Sequence, residues 1–307
     1  MNIWRLQLKT TPEEGITYRD VLNFCVKNDI IGVGWCEVNI RVDNYDALKN
    51  AIENIPDYAN KKTGKFTAPI KAINAVREMR TGDLVWTRLV ENGAEYYLCR
   101  VGENLWTDSI VTAEHRKYDI GNYVSAKWVK IGTEDQIPGK VANSFCPSAT
   151  VQRVKNVEKI SQYIWNTCSK ENTYSINSLG WDDFWNLIDS EELECLVLLY
   201  LQTKGYYIYS STLKISTPGY ETIMISKDGS HRCLPQVKRE ESLKVENYIK
   251  DVQGGDEVYL FTTSEYYGSA KHKNIHCITK NNLKDFILKN KVILPDSVKY
   301  WVGMVNK

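Results

Sequence analysis

The sequence predicts two domains of different class: an α+β half folded as a small, partly closed barrel with helices, then an α/β half with a central mixed sheet flanked by helices. Three observations carry this. A chain of 307 residues is long for one ordinary domain and comfortable for two. Up to about residue 150, short helical stretches give way to Val-, Tyr- and Trp-rich runs broken by glycine. After the polar segment Ser169–Ser178 the order changes to an apolar helix followed by short strands. An apolar content of 43% and a charged content of 25% let both halves bury a core.

The first half opens on the short apolar strand Ile3–Leu6. A helix is expected over Tyr18–Lys27, then the compact apolar segment Ile30–Trp35, then a second helix over Asp46–Asn54. The Lys/Gly/Thr loop Asn60–Thr67 precedes a third helix, Pro69–Met79, with proline suited to a first helical turn. Strands are expected at Asp83–Arg88, Glu95–Val101 and Tyr123–Ile131, and Gly132–Ser148 should cross back over them. Residues 1–150 are read as the first domain, 151–180 as a helical linker containing the helix-like stretch Val151–Cys168, and 181–307 as the second domain.

In the second domain the expected order is helix Ser190–Lys204, strands Tyr206–Ser210, Glu221–Ser226 and His231–Lys238, helix Glu241–Asp251, strand Glu257–Thr263 and helix Asn281–Lys289. Asp228-Gly229 is a tight-turn signal, so the second and third strands should pair as a hairpin. Alternation puts Gln236 and Lys238 on one face of the third strand, and hairpin registry brings Glu221 beside them. A carboxylate, an amide oxygen and an ammonium gathered there suit phosphodiester hydrolysis. A hard cation such as Mg2+ (or Mn2+) takes the oxygens, and the lysine offsets charge on the phosphate. Each residue alone also fits an ordinary strand face. Glu194 lies in an almost wholly apolar helix, where a carboxylate needs a reason.

Pro218-Gly219-Tyr220-Glu221, followed by Gln236-Val237-Lys238-Arg239, resembles the PD-(D/E)xK superfamily, in particular the Mrr-like restriction endonucleases that use QxK. The resemblance runs from about Asp183 to Thr263. It implies an αβββαβ core, catalytic residues Glu221, Gln236, Lys238 and Glu194, and a metal held by Glu221, Glu194 and Gln236. Two departures stand out: glutamate replaces the usual aspartate at 221, and Pro235 inside the motif strand predicts a bulge or an unpaired edge.

In the first half, Ile31-Gly32-Val33-Gly34-Trp35, Gly82-Asp83-Leu84-Val85-Trp86-Thr87 and Tyr96–Gly102 resemble PUA/EVE-like domains, small barrels that read modified bases. The resemblance implies a base pocket. A flipped base needs aromatic walls, for which Trp35, Trp86 and Trp106 are candidates, and a hydrogen-bonding edge, for which Asp83 or Asp108 is one. Core packing explains the same tryptophans equally well. With a net charge of +1 there is no global basic field, so nucleic acid must be met by local patches. Lys61, Lys62, Lys65 and Arg239 are candidates for phosphate contact.

The resulting expectation is a cytoplasmic, defence-associated restriction enzyme that cleaves DNA carrying modified bases, as a homodimer because each site cuts one strand. An inactive nuclease-like binder and an RNA-directed nuclease are the alternatives. The 8 cysteines include no CxxC pair and suit a reducing compartment, and neither a signal peptide nor a membrane contact is expected. Thr63–Thr67 fails the phosphate-loop pattern. His272 and His276, at helical ligand spacing beside Cys277, lack the companions of a zinc site.

Overall fold

The computed structural model describes residues 1–307 except 9, 43, 56–66, 147–148, 177, 214–218, 253 and 306–307. Lys61, Lys62 and Lys65, and Pro218 of the motif, therefore lie outside the described residues. The chain is α+β and divides into two compact units, Met1–Leu187 with Val305–Lys307, and Ile188–Met304.

The first unit is built on a curled, mixed half-barrel sheet with strand order β2-β5-β4-β3-β1-β6. Its strands are β1 (Ile3–Leu6), β2 (Ile30–Val33), β3 (Leu84–Val90), β4 (Ala94–Val101), β5 (Asn122–Gly132) and β6 (Val151–Arg153). Helix α1 (Tyr18–Lys27) starts at a capping box, in which the Asp20 amide donates to Thr17 Oγ1 and the Thr17 amide to Asp20 Oδ2. Helices α2 (Tyr45–Glu53) and α3 (Thr67–Glu78) complete that side, and their apolar stripes join Trp4, Leu6, Val85, Cys99 and Val124 in one core. Beyond the short helices α4 (Ala113–Lys117) and α5 (Gly139–Ser144) come α6 (Glu158–Ser169) and α7 (Trp181–Leu187).

The segment 151–180, read from sequence as a helical linker, belongs to this unit. β6 pairs antiparallel with β1, and α6 packs on β5. Three strand residues are too few to betray a period, so β6 read as the start of the helix.

The second unit is a five-stranded mixed sheet, order β11-β10-β9-β8-β7. It runs α8 (Ser190–Thr203), β7 (Tyr206–Ile208), β8 (Met224–Ser226), β9 (Arg232–Lys238), β10 (Glu257–Thr262), β11 (Ile275–Ile278), α9 (Lys280–Lys289) and α10 (Asp296–Val305). The capping box Asp189/Glu192 starts α8, with the Glu192 amide 2.7 Å from Asp189 Oδ1. β8 and β9 form the expected hairpin around Asp228 and Gly229. Gly229 takes a φ of 72°, and Asp228 accepts from Ser226 and Ser230.

Two elements differ from expectation. Glu241–Asp251 is not a helix but contains two 3-10 turns, Val245–Asn247 and Ile249–Asp251. The amides of Leu243 and Val245 donate to Tyr266 and Tyr267 carbonyls, so tertiary partners replace the intrahelical ones. His276 and Cys277 lie on strand β11, parallel to β10, so the helical spacing from His272 has no meaning there. Among the described residues no helix is long and apolar enough to cross a membrane.

Candidate active site

β9 is the central strand of the second sheet, with Pro235 in its middle. The expected disturbance is confined to the β8 edge, and the reason is which way the missing N–H points. The N–H and C=O of one strand residue face the same edge, and the Pro235 carbonyl accepts from the Glu221 amide at 3.0 Å, on the β8 side. The parallel ladder to β10 is therefore intact from Cys233↔Glu257 to Lys238↔Thr262.

The β8 side carries the consequence. Ser226 N donates to His231 O, and the ladder continues through Met224↔Cys233. The next hydrogen-bonded pair would be Thr222 with Pro235, which has no N–H to give. Strand β8 ends at Met224, and the register slips by one so that Glu221 N takes the Pro235 carbonyl. Two residues on, the Val237 amide faces the same edge with no strand partner left. It donates to Glu221 Oε1 at 3.1 Å, and Gln236 Nε2 donates to the same oxygen at 3.0 Å. Among the described residues nothing donates to the other carboxylate oxygen.

Gln236 is 4% exposed, where the apolar cluster of Leu234, Val258 and Leu260 meets the strand end, and Lys238 is half-buried one step further out on the same face. Glu194, half-buried on α8, completes the group. Burial first, then the neighbouring Glu221 carboxylate, pushes its carboxyl up to about 7, with Lys238 opposing. Four residues named from sequence are thus brought together. Among the described residues no three His, Cys, Asp or Glu side chains form a metal-ligand group. A cation here would take Glu221, Glu194 and the Gln236 amide oxygen, a hard-oxygen set suited to Mg2+.

No protein-family model, curated protein or solved structure matches this chain. The chemistry of the site therefore rests on its own residues.

Arg239, a phosphate-contact candidate from sequence, spends at least one donor inside the protein. It donates to the Ile188 carbonyl at 2.7 Å beside Asp189 and Glu192, and burial lowers its pKa. It fastens the end of β9 to the start of α8, one turn before Glu194, and so acts as a positioning residue. Sequence reasoning missed Tyr220 and Tyr248, whose rings lie 6.1 Å apart. The Tyr220 hydroxyl donates to Asp251, and burial together with Asp251, Glu221 and Glu241 raises that of Tyr248. The signal available was Tyr220 inside the motif itself.

In the first unit, three of the base-pocket candidates, Trp86, Trp106 and Asp83, are buried with partners of their own. Trp86 is fully buried with its indole N–H on Ser161 Oγ, and Trp106 is buried with its own on Asn122 Oδ1. Asp83, 1% exposed, accepts from the Asn2 and Arg80 amides and the Trp4 indole. Each buried polar atom already has a protein partner, which leaves none for a base edge. Asp108 is exposed and caps a turn by accepting from the Leu105 amide through Oδ2. Trp35 alone stays half-exposed, with φ at 59°, a left-handed conformation uncommon outside glycine.

Two measurements follow from the geometry. A carboxyl whose folded pKa is raised from 4.5 to about 7 contributes stability that is present below the unfolded value and lost as pH rises through about 7. Without metal, the Tm of Glu194→Gln should therefore gain on wild type between pH 5 and 8, by about 1–3 °C. Melting curves that stay parallel across that range would remove Glu194 from the cluster. Pro235→Val restores an N–H and should extend β8 to the Thr222 pair, drawing Glu221 off Val237. Mg2+ affinity should fall about 10-fold with no loss of Tm, and an unchanged affinity would show that the proline does not set the site.

Proposed function

We propose that this chain is a Mg2+-dependent endonuclease that cleaves DNA, acting in restriction or defence. The observation that carries the reading is the Glu221 carboxylate held at 3.0 Å by Gln236 Nε2, with Glu221 and Lys238 both acting electrostatically on the Glu194 carboxyl. A half-buried carboxyl whose ionisation a neighbouring carboxylate opposes marks a site short of positive charge. Mg2+ (or Mn2+) bound there would polarise the scissile phosphate and acidify a water.

The residues themselves do the positioning. Glu221 is oriented by two donors to one oxygen, which frees the other for a ligand. Gln236 presents its amide oxygen from a buried, fixed strand. Glu194 must release its proton before it can ligate, so cation affinity should rise as pH passes about 7. Lys238 offsets negative charge on the phosphate as it builds and helps orient the water.

The first unit supports a nucleic-acid-reading role through its curled sheet and the accessible, conformationally unusual Trp35. A homodimer would place two such sites on a duplex. The test is incubation with modified and unmodified duplex DNA, and with RNA, in Mg2+ and in EDTA. Metal-dependent DNA cleavage is expected. Cleavage of RNA alone would reassign the substrate, and no cleavage of either would leave a binding protein with a nuclease-like site.

A further inference from the structure

The first unit buries one arginine fully and a second partly, and neither meets an acid in an ion pair among the described residues. Arg5 on β1 is 0% exposed. Its Nη1 donates to the Ala149 carbonyl and Nη2 to Gln152 Oε1 at 3.0 Å, while the buried Nε finds no acceptor among the described residues. The parallel register sets Arg5 beside Trp86 on β3, and Arg88 lies two residues along, on the same face. Arg88 reaches the Tyr96 hydroxyl at 3.3 Å and the Phe145 carbonyl at 3.5 Å. Both guanidinium groups stand over the Phe145 ring, at 5.5 and 4.8 Å.

Every acceptor here is neutral, and no described carboxylate forms an ion pair with either arginine. Burial and the like charge of Arg88 together lower Arg5 to about 10, so it stays charged at neutral pH. A desolvated cation beside a second one without an anion is costly, and an unpartnered buried donor adds to that. Beside them opens a cavity of about 310 Å³ lined by Gln7, Leu8, Tyr18, Arg88, Leu89 and Val90. An arginine and a glutamine line it together with apolar side chains and a phenol, a mixture suited to a small organic anion.

We infer that this cavity binds a phosphate monoester carried on a planar or apolar body, as in a mononucleotide or the phosphorylated end of a DNA strand. Arg88 takes the phosphate oxygens through its fork. Arg5, behind it, supplies field rather than contact. The doubled positive charge favours a dianionic monoester over a singly charged carboxylate or internal phosphodiester. This inference is independent of the nuclease site.

Binding is read calorimetrically in EDTA and low salt, so neither cleavage nor Mg2+ enters the result. The probes are deoxyadenosine 5′-monophosphate, inorganic phosphate, and one short oligonucleotide with and without a 5′-phosphate. Saturable binding of the mononucleotide, competed by inorganic phosphate, is expected. A phosphorylated oligonucleotide that binds more tightly than the mononucleotide identifies a strand end as the source, and the reverse order identifies a free nucleotide. Arg88→Met should weaken binding at least about 10-fold, and Arg88→Lys, which keeps the charge and the fold but loses the fork, should weaken it less. The inference is overturned if neither monoester binds saturably, if the unphosphorylated oligonucleotide binds as well as the phosphorylated one, or if Arg88→Lys and a folded Arg88→Met both bind as wild type.

Discussion

Lys238→Ala is expected to reduce DNA cleavage by about 100-fold or more, the loss typical when one preorganised donor to a developing charge is removed. Lys238 sits half-buried at the end of β9, paired with Thr262 of β10, and its charge is already felt by Glu194. Its position is set by the parallel ladder to β10, so truncation should leave the backbone in place and the Tm within about 1–2 °C. Binding of uncleaved DNA in EDTA should change only a few-fold, since one exposed-end cation contributes about one counterion's worth of affinity. Single-turnover cleavage with wild-type and variant protein decides the matter, and equal rates would remove Lys238 from the chemistry.

The second large effect separates the two jobs of Glu221. Its Oε1 is the only acceptor given to the Val237 amide on the edge where Pro235 ended the ladder. Glu221→Ala leaves that buried N–H unpaired and should cost about 1–3 kcal/mol of stability, along with all cleavage. Glu221→Gln keeps an oxygen for Val237 and Gln236 but removes the negative charge. Its Tm should stay near that of wild type, or rise slightly because Glu194 loses a like-charged neighbour, while Mg2+ binding and cleavage are lost. Thermal melts beside Mg2+ titrations read both quantities. A glutamine variant that still binds Mg2+ with wild-type affinity would mean the carboxylate serves only as a cap on the strand.

The hairpin, the shared face of Gln236 and Lys238, and Glu194 in its apolar helix were legible because they depend on local signals: a turn dipeptide, a period of two and one misplaced charge. The tryptophans were not. Trp86 follows an apolar run whether it walls a pocket or fills a core, and for it and Trp106 only burial and the indole partners, Ser161 and Asn122, decide between the two. Arg239 read as phosphate-facing because its carbonyl partner, Ile188, is far away in sequence. The helix expected over Glu241–Asp251 failed for the same reason, its amides being taken by the Tyr266–Tyr267 loop.

By itself, then, the sequence determined that an acid, an amide and a lysine would meet at one end of a β-hairpin, since turn chemistry and side-chain alternation act over a few residues. It also marked Pro235 as a disturbance. Tertiary structure alone decided what that disturbance does. A proline is harmless on the edge where its carbonyl is used and disruptive where its N–H is needed, and which edge faces β8 is fixed by strand order. That order turns a broken ladder into the slip that brings the Glu221 carboxylate onto Val237 and Gln236.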